Sequence, residues 1–196
     1  MYKNFKNDVL RSVMITPLLV STLSFGSIDI AGIPSNVLDI SSQSNTEEVQ
    51  VSTQEQITMR MRADKIDAYF RDRNMPLEGY GMKMVQVAEE NDIDWRLLPA
   101  ISIIETTGGK NLCKSKDGAN NPFGFGSCKI GFNSFNEAIE IVGKNLGGNN
   151  PRTAIHYDNK DLDGILKSYN SVIPTYNKKI KGFMERIENY DISHDA

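Results

Sequence analysis

Apolar positions are densest between Asp94 and Lys110, where Leu97, Leu98, Ala100, Ile101, Ile103 and Ile104 leave almost no polar face. Such a run predicts a helix buried on nearly all sides. Asp94 is its candidate N-cap. Pro99 adds a condition: a helix starting at Trp95 loses one ladder bond there, so it either kinks or starts later. Gly108 and Gly109 follow, and either can supply the left-handed residue that ends a helix.

Amphipathic segments surround this centre. Met59, Ala63, Ile66 and Phe70 recur at helical spacing from about Gln56, until Pro76 and Gly79 break the chain. Met82, Val85 and Ala88 predict a second helix ending near Asn91. After the central segment, Ser134 and Glu137 match a capping box, and Phe135, Ala138, Ile139, Val142 and Leu146 form one face up to Gly147-Gly148. Residues 152–158 read as a short helix or irregular chain, with His156 more structural than catalytic. Leu162, Ile165, Leu166 and Tyr169 form the next face; Tyr176, Ile180, Phe183 and Ile187 form the last. The helical domain is expected over 55–190, with a fraying tail at 191–196.

The first 54 residues differ in kind. Lys3, Lys6 and Arg11 precede a mostly apolar stretch from Ser12 to Phe25, too short for a membrane span of about 20 apolar residues. Residues 1–25 therefore read as an export signal or, if uncut, as an N-terminal anchor giving transient membrane association. Residues 26–54, rich in Ser, Gln, Asn and Thr, read as a disordered linker. Export changes the view of the two cysteines. Cys113 and Cys128 bracket a loop, and in an oxidising compartment such a pair is readily a disulfide stabilising by about 3 kcal/mol; in a reducing one they are separate thiols.

Composition excludes several functions. A net charge of −3 with no long Lys/Arg run offers no basic face for nucleic acid. His156, His194 and the cysteines lack metal-ligand spacing, so no metal is expected. No P-loop or dinucleotide fingerprint is present, and no cofactor is implied.

One ionisable group interrupts the central apolar run. Glu105 lies four residues after Ile101 and eight after Leu97, on the same stripe. Loss of hydration disfavours its charged form, and so does the negative end of the helix dipole. A carboxyl kept protonated in this way is a candidate general acid. A glutamate at a helix end can also simply turn out to water.

Ala100-Ile-Ser-Ile-Ile-Glu-Thr-Thr-Gly-Gly-Lys110, followed by Asn120-Asn-Pro-Phe-Gly-Phe-Gly-Ser127, resembles the core of bacterial endo-β-N-acetylglucosaminidases of the lysozyme superfamily. Ser168-Tyr-Asn-Ser171 with Tyr176 is similar to the Tyr-Asn-Ala-Gly…Tyr element of the related lytic transglycosylases. The resemblance spans roughly Ile66 to Ile187; Thr106 stands where Ser is usual, and Ser171-Val172 replaces Ala-Gly. It implies a mainly α, lysozyme-like α+β fold, a helical bundle around a central buried helix with a small loop or β lobe. It also implies a monomeric, extracytoplasmic glycosidase acting on a polysaccharide such as peptidoglycan, with Glu105 as acid. Tyr169 would stand on the far groove wall, hydrogen-bonding an N-acetyl group or positioning water, with Asn170 and Tyr176 beside the sugar. Tyr169 equally completes a core stripe.

Loop residues carry paired readings. Asn120 and Asn121 either bind an N-acetyl group or make turns. Phe123 and Phe125, two apart, would point the same way in extended chain; they either offer a sugar platform or anchor in the core. Glycosidases usually need a second carboxylate, about 5 Å away for retention or roughly 6.5–9.5 Å for inversion. Asp117 is the sole acid between Thr106 and Asn136, although Asp-Gly is also a turn pair. Without it, the sugar's own 6-hydroxyl or N-acetyl group takes the nucleophile's part, as in a transglycosylase. A glycan-binding module without turnover is the alternative from another class.

Overall fold

The structure, a computed structural model, describes residues 40–113 and 119–193, with side chains of the first helix described from Thr53. The chain divides into two units, Met1–Ser41 and Ser42–Ala196. The expected leader, most of the expected linker before Ile40, and Asp117 lie outside the described residues. Seven α-helices follow one another: α1 (Ile40–Arg71), α2 (Gly81–Glu90), α3 (Leu97–Thr106), α4 (Phe135–Leu146), α5 (Ala154–Tyr157), α6 (Leu162–Tyr169) and α7 (Tyr176–Glu188). No strand occurs among the described residues, so the protein is mainly α and its loop lobe is built of turns.

α3 is the axis. Leu97, Leu98, Ala100 and Ile101 are buried, as are Ser102, Ile103 and Thr106. Each buried Leu or Ile contributes about 1.5–3 kcal/mol, so no other ten-residue segment matters more to the core. α7 packs along α3 through Tyr176, Ile180, Met184 and Ile187, one stripe at helical spacing. Arg96, just before α3, holds Asp94 and Glu188 together, the latter at 2.8 Å.

Other joints are polar or tight. Asp67 on α1 accepts hydrogen bonds from the Gly79 and Gly81 N–H groups, both 2.8 Å, and so caps α2 from outside. Gly143 on α4 lies against Val87 of α2, where a Cβ would stand 2.2 Å from Val87 Cγ1. Tyr190, beyond the last helical position, packs edge-on against Tyr69 at 5.2 Å and donates its hydroxyl to Asp72.

Three local expectations need correction. Residues 40–54, expected as linker, are helical. Their Glu and Gln are good helix formers, and they propagate from a helix whose far end is anchored by buried Ala63, Ile66 and Phe70. Asp94 is not the N-cap; its carboxylate accepts from the Arg96 N–H at 2.9 Å and shapes the turn before Leu97. α3 starts at Leu97, so Pro99 falls in the first turn, where its missing N–H costs no ladder bond. Finally, the left-handed cap is neither glycine but Thr107, at φ +56°, with Gly108 and Gly109 continuing left-handed after it.

A β-branched residue there is strained. Thr107→Gly is expected to raise stability by about 1 kcal/mol, measured as a higher midpoint in thermal or urea unfolding.

Candidate functional site

The C-terminal turn of α3 carries the site. Glu105 is half-buried beside fully buried Thr106. The Thr106 hydroxyl donates to the Pro122 carbonyl at 2.7 Å and accepts from the Gly109 N–H at 3.0 Å. The helix end is thereby bonded to the loop that follows it. A serine hydroxyl could make the same bonds, so the Thr/Ser departure leaves this joint intact.

Asn121 organises the loop. It is wholly buried; its amide nitrogen donates to the Phe125 and Ile130 carbonyls at 2.8 and 2.9 Å. Its oxygen accepts from the N–H groups of Phe123 and Phe125 at 3.3 and 3.1 Å. The side chain has no capacity left for a sugar, so its expected substrate role is corrected to a structural one. Asn120, left-handed at φ +51°, donates to the Phe132 carbonyl at 3.0 Å and makes a turn. Cys113 and Cys128 are joined by a disulfide, with Cα atoms 5.6 Å apart.

The two phenylalanines part company. Phe123 is buried in the core, whereas Phe125 is half-buried and lines a cavity. Gly124 between them is left-handed at φ +60°, which breaks the alternation of extended chain. Gly124 also sets the approach of loop to acid: a Cβ there would stand 2.8 Å from Glu105 Oε2. A side chain there would have to displace the Glu105 carboxyl, and glycine suits the left-handed backbone.

The cavity has a volume of about 510 Å³. Glu105, Gly124, Phe125 and Ile130 line it together with Tyr157, Tyr169, Asn170 and His156. Tyr176 is buried behind it and donates its hydroxyl to Glu105 Oε1 at 2.8 Å. Tyr169 stacks on Tyr176, rings 6.2 Å apart and 12° from parallel, and lies 6.2 Å from Phe125. Its hydroxyl donates to the Phe123 carbonyl at 2.5 Å. That proton is therefore spent on the loop, which leaves the ring of Tyr169 as its contribution to the cavity. Asn170 ends α6; its oxygen accepts from the Val172 and Ile173 N–H groups, both 3.1 Å.

Electrostatics follow from burial. Loss of hydration raises the Glu105 pKa, and the Tyr176 hydrogen bond opposes that by favouring the carboxylate. None of the ion pairs among the described residues involves Glu105. Burial, then the nearby Glu105 charge, pushes the Tyr176 phenol far up, so it remains a donor at any ordinary pH. Glu137, the acid that follows this loop, is occupied in the expected capping box: it accepts from the Asn133 N–H while Ser134 caps its own N–H at 3.2 Å. Among the described residues, Glu105 is the carboxylate on the cavity wall. Sequence reasoning passed over Tyr157 entirely. It stands on a four-residue helix, too short for any periodic signal.

The chain matches no model of a protein family, no curated protein and no solved structure.

A carboxyl raised on folding binds protons more tightly in the native state, so its contribution to stability falls as pH rises from the unfolded pKa through the folded one. Glu105→Gln removes that loss. It is expected to match wild type in acid and to be the more stable of the two at neutral pH, measured by urea unfolding across pH 4–8.

Proposed function

We propose that this protein is a glycosidase of lysozyme-like type, cleaving β-1,4 bonds at N-acetylated amino sugars, with extracytoplasmic peptidoglycan as substrate. One observation carries the reading: a half-buried carboxyl at a helix end, raised in pKa, in no ion pair among the described residues, opening on a cavity of about 510 Å³. The aromatic rings of Phe125 and Tyr169 in the same cavity suit the apolar faces of sugar rings. The order of the motifs along the chain supports the same reading.

In this mechanism protonated Glu105 gives its proton to the glycosidic oxygen as the bond to the anomeric carbon breaks. Water then adds to that carbon and returns a proton to the Glu105 carboxylate. Between these steps the Tyr176 hydrogen bond stabilises the carboxylate. The lone carboxylate on the described cavity wall also favours a second reading, non-hydrolytic transglycosylation. There the sugar's 6-hydroxyl attacks the anomeric carbon and Glu105 takes up its proton.

Glu105→Gln is expected to lower clearing of purified peptidoglycan by at least about 100-fold; unchanged clearing would remove Glu105 from the chemistry. Fragment masses separate the two routes, since transglycosylation leaves products one water lighter. Tyr176→Phe should raise the Glu105 pKa further, because a bond favouring the anion is lost. The acid then stays protonated to higher pH, and the alkaline limb of the kcat/KM profile moves upward.

A further inference from the structure

α5 brings to the cavity a group with no assigned role. Tyr157 is only 7% exposed, and it lines the same cavity as Glu105. Buried phenols normally find a hydrogen-bond partner. Those of Tyr169 and Tyr176 do, on the Phe123 carbonyl and the Glu105 carboxylate. The Tyr157 hydroxyl makes no hydrogen bond to any described residue, and no fully enclosed side-chain N or O atom lacks a partner. Its oxygen therefore retains contact with open space. Tyr157 lines this cavity and a smaller one beside Asn91, Gly147 and Asp158, and the closeness of its phenol to those of Tyr169 and Tyr176 sets the hydroxyl on the Glu105 side. The phenol is close enough to the other two that ionising any one of them would disfavour ionising the others.

From this the geometry points to Tyr157 as a substrate-binding residue whose hydroxyl donates a hydrogen bond to an acceptor oxygen, the N-acetyl carbonyl or a ring hydroxyl, of the amino sugar held beside Glu105. The inference rests on the glycosidase reading and adds a ligand contact to it. A neutral donor suits a neutral acceptor. Burial raises the Tyr157 pKa, so the donor persists at neutral pH. Tyr169 spends its own proton on the Phe123 carbonyl, which leaves Tyr157 as the phenol free to donate to a ligand.

Tyr157→Phe removes one oxygen and no internal bond, so the melting temperature should stay within about 2 °C of wild type. With soluble peptidoglycan fragments KM should rise about fivefold to tenfold at nearly constant kcat, as for a contact made equally in ground and transition states. In calorimetry, the N-acetylglucosamine trimer should bind Glu105→Gln protein and bind the Glu105→Gln/Tyr157→Phe protein about fivefold to tenfold more weakly. Equal trimer affinity in the two proteins, or a clear drop in melting temperature for Tyr157→Phe, overturns the inference while leaving the glycosidase reading standing. A wild-type protein that clears no cell wall, with a trimer that binds neither variant, removes that reading and the inference with it.

Discussion

The contact between the end of α3 and the loop after it governs everything else. Thr106 reaches across to the Pro122 carbonyl, and one turn of chain later Gly124 lies against the Glu105 carboxyl. These neighbouring residues of one helix end meet the same loop at two points. The first contact holds the backbone; the second controls how dry the acid is. Displacing the loop by the width of a side chain would admit water to Glu105 and return its pKa toward that of an ordinary carboxyl.

Two devices hold that loop, and they act differently. The Cys113–Cys128 bond closes fifteen residues and restricts the unfolded chain, contributing about 3 kcal/mol in the chain-entropy model. It does little to aim individual atoms. Asn121 does the aiming: its buried side chain makes four hydrogen bonds that set Phe123, Phe125 and Ile130 relative to one another. Each such bond contributes about 1 kcal/mol net, but leaving the buried amide itself unmet costs more. The order of the cavity wall therefore rests more on an amide than on the disulfide.

Three tyrosines gather around a single acid. Tyr176 is bonded to it, Tyr169 is stacked on Tyr176, and Tyr157 is close enough to act on both electrostatically. Burial holds all three protonated, so none of these phenols adds charge to the wall in either state of Glu105. An aromatic, hydrogen-bonding wall with one carboxyl among the described residues suits proton transfer to an uncharged polymer. That match between wall and ligand is the physical basis of the proposed glycan chemistry.

Much of the helical plan was legible in the chain, because apolar spacing reports burial directly: the faces of α2, α4, α6 and α7 and the all-round apolar α3 follow from 3.6-residue periodicity. The Ser134–Glu137 cap was readable because it depends on a few nearby residues, whereas the cysteines left two readings open and the structure joins them. What the spacing could not decide was direction. Phe123 and Phe125 are equal in sequence, yet one left-handed glycine sends the first inward and leaves the second on the cavity. Asn121 is indistinguishable from Asn120 until the loop closes around it. Tyr157 carries no local pattern at all; only the packing of α5 against α4 and α6 turns it toward the acid, 52 residues away along the chain. Local periodicity determined which residues are buried, while long-range contacts decided which polar groups meet, because a side chain's partners depend on neighbours the local sequence does not contain.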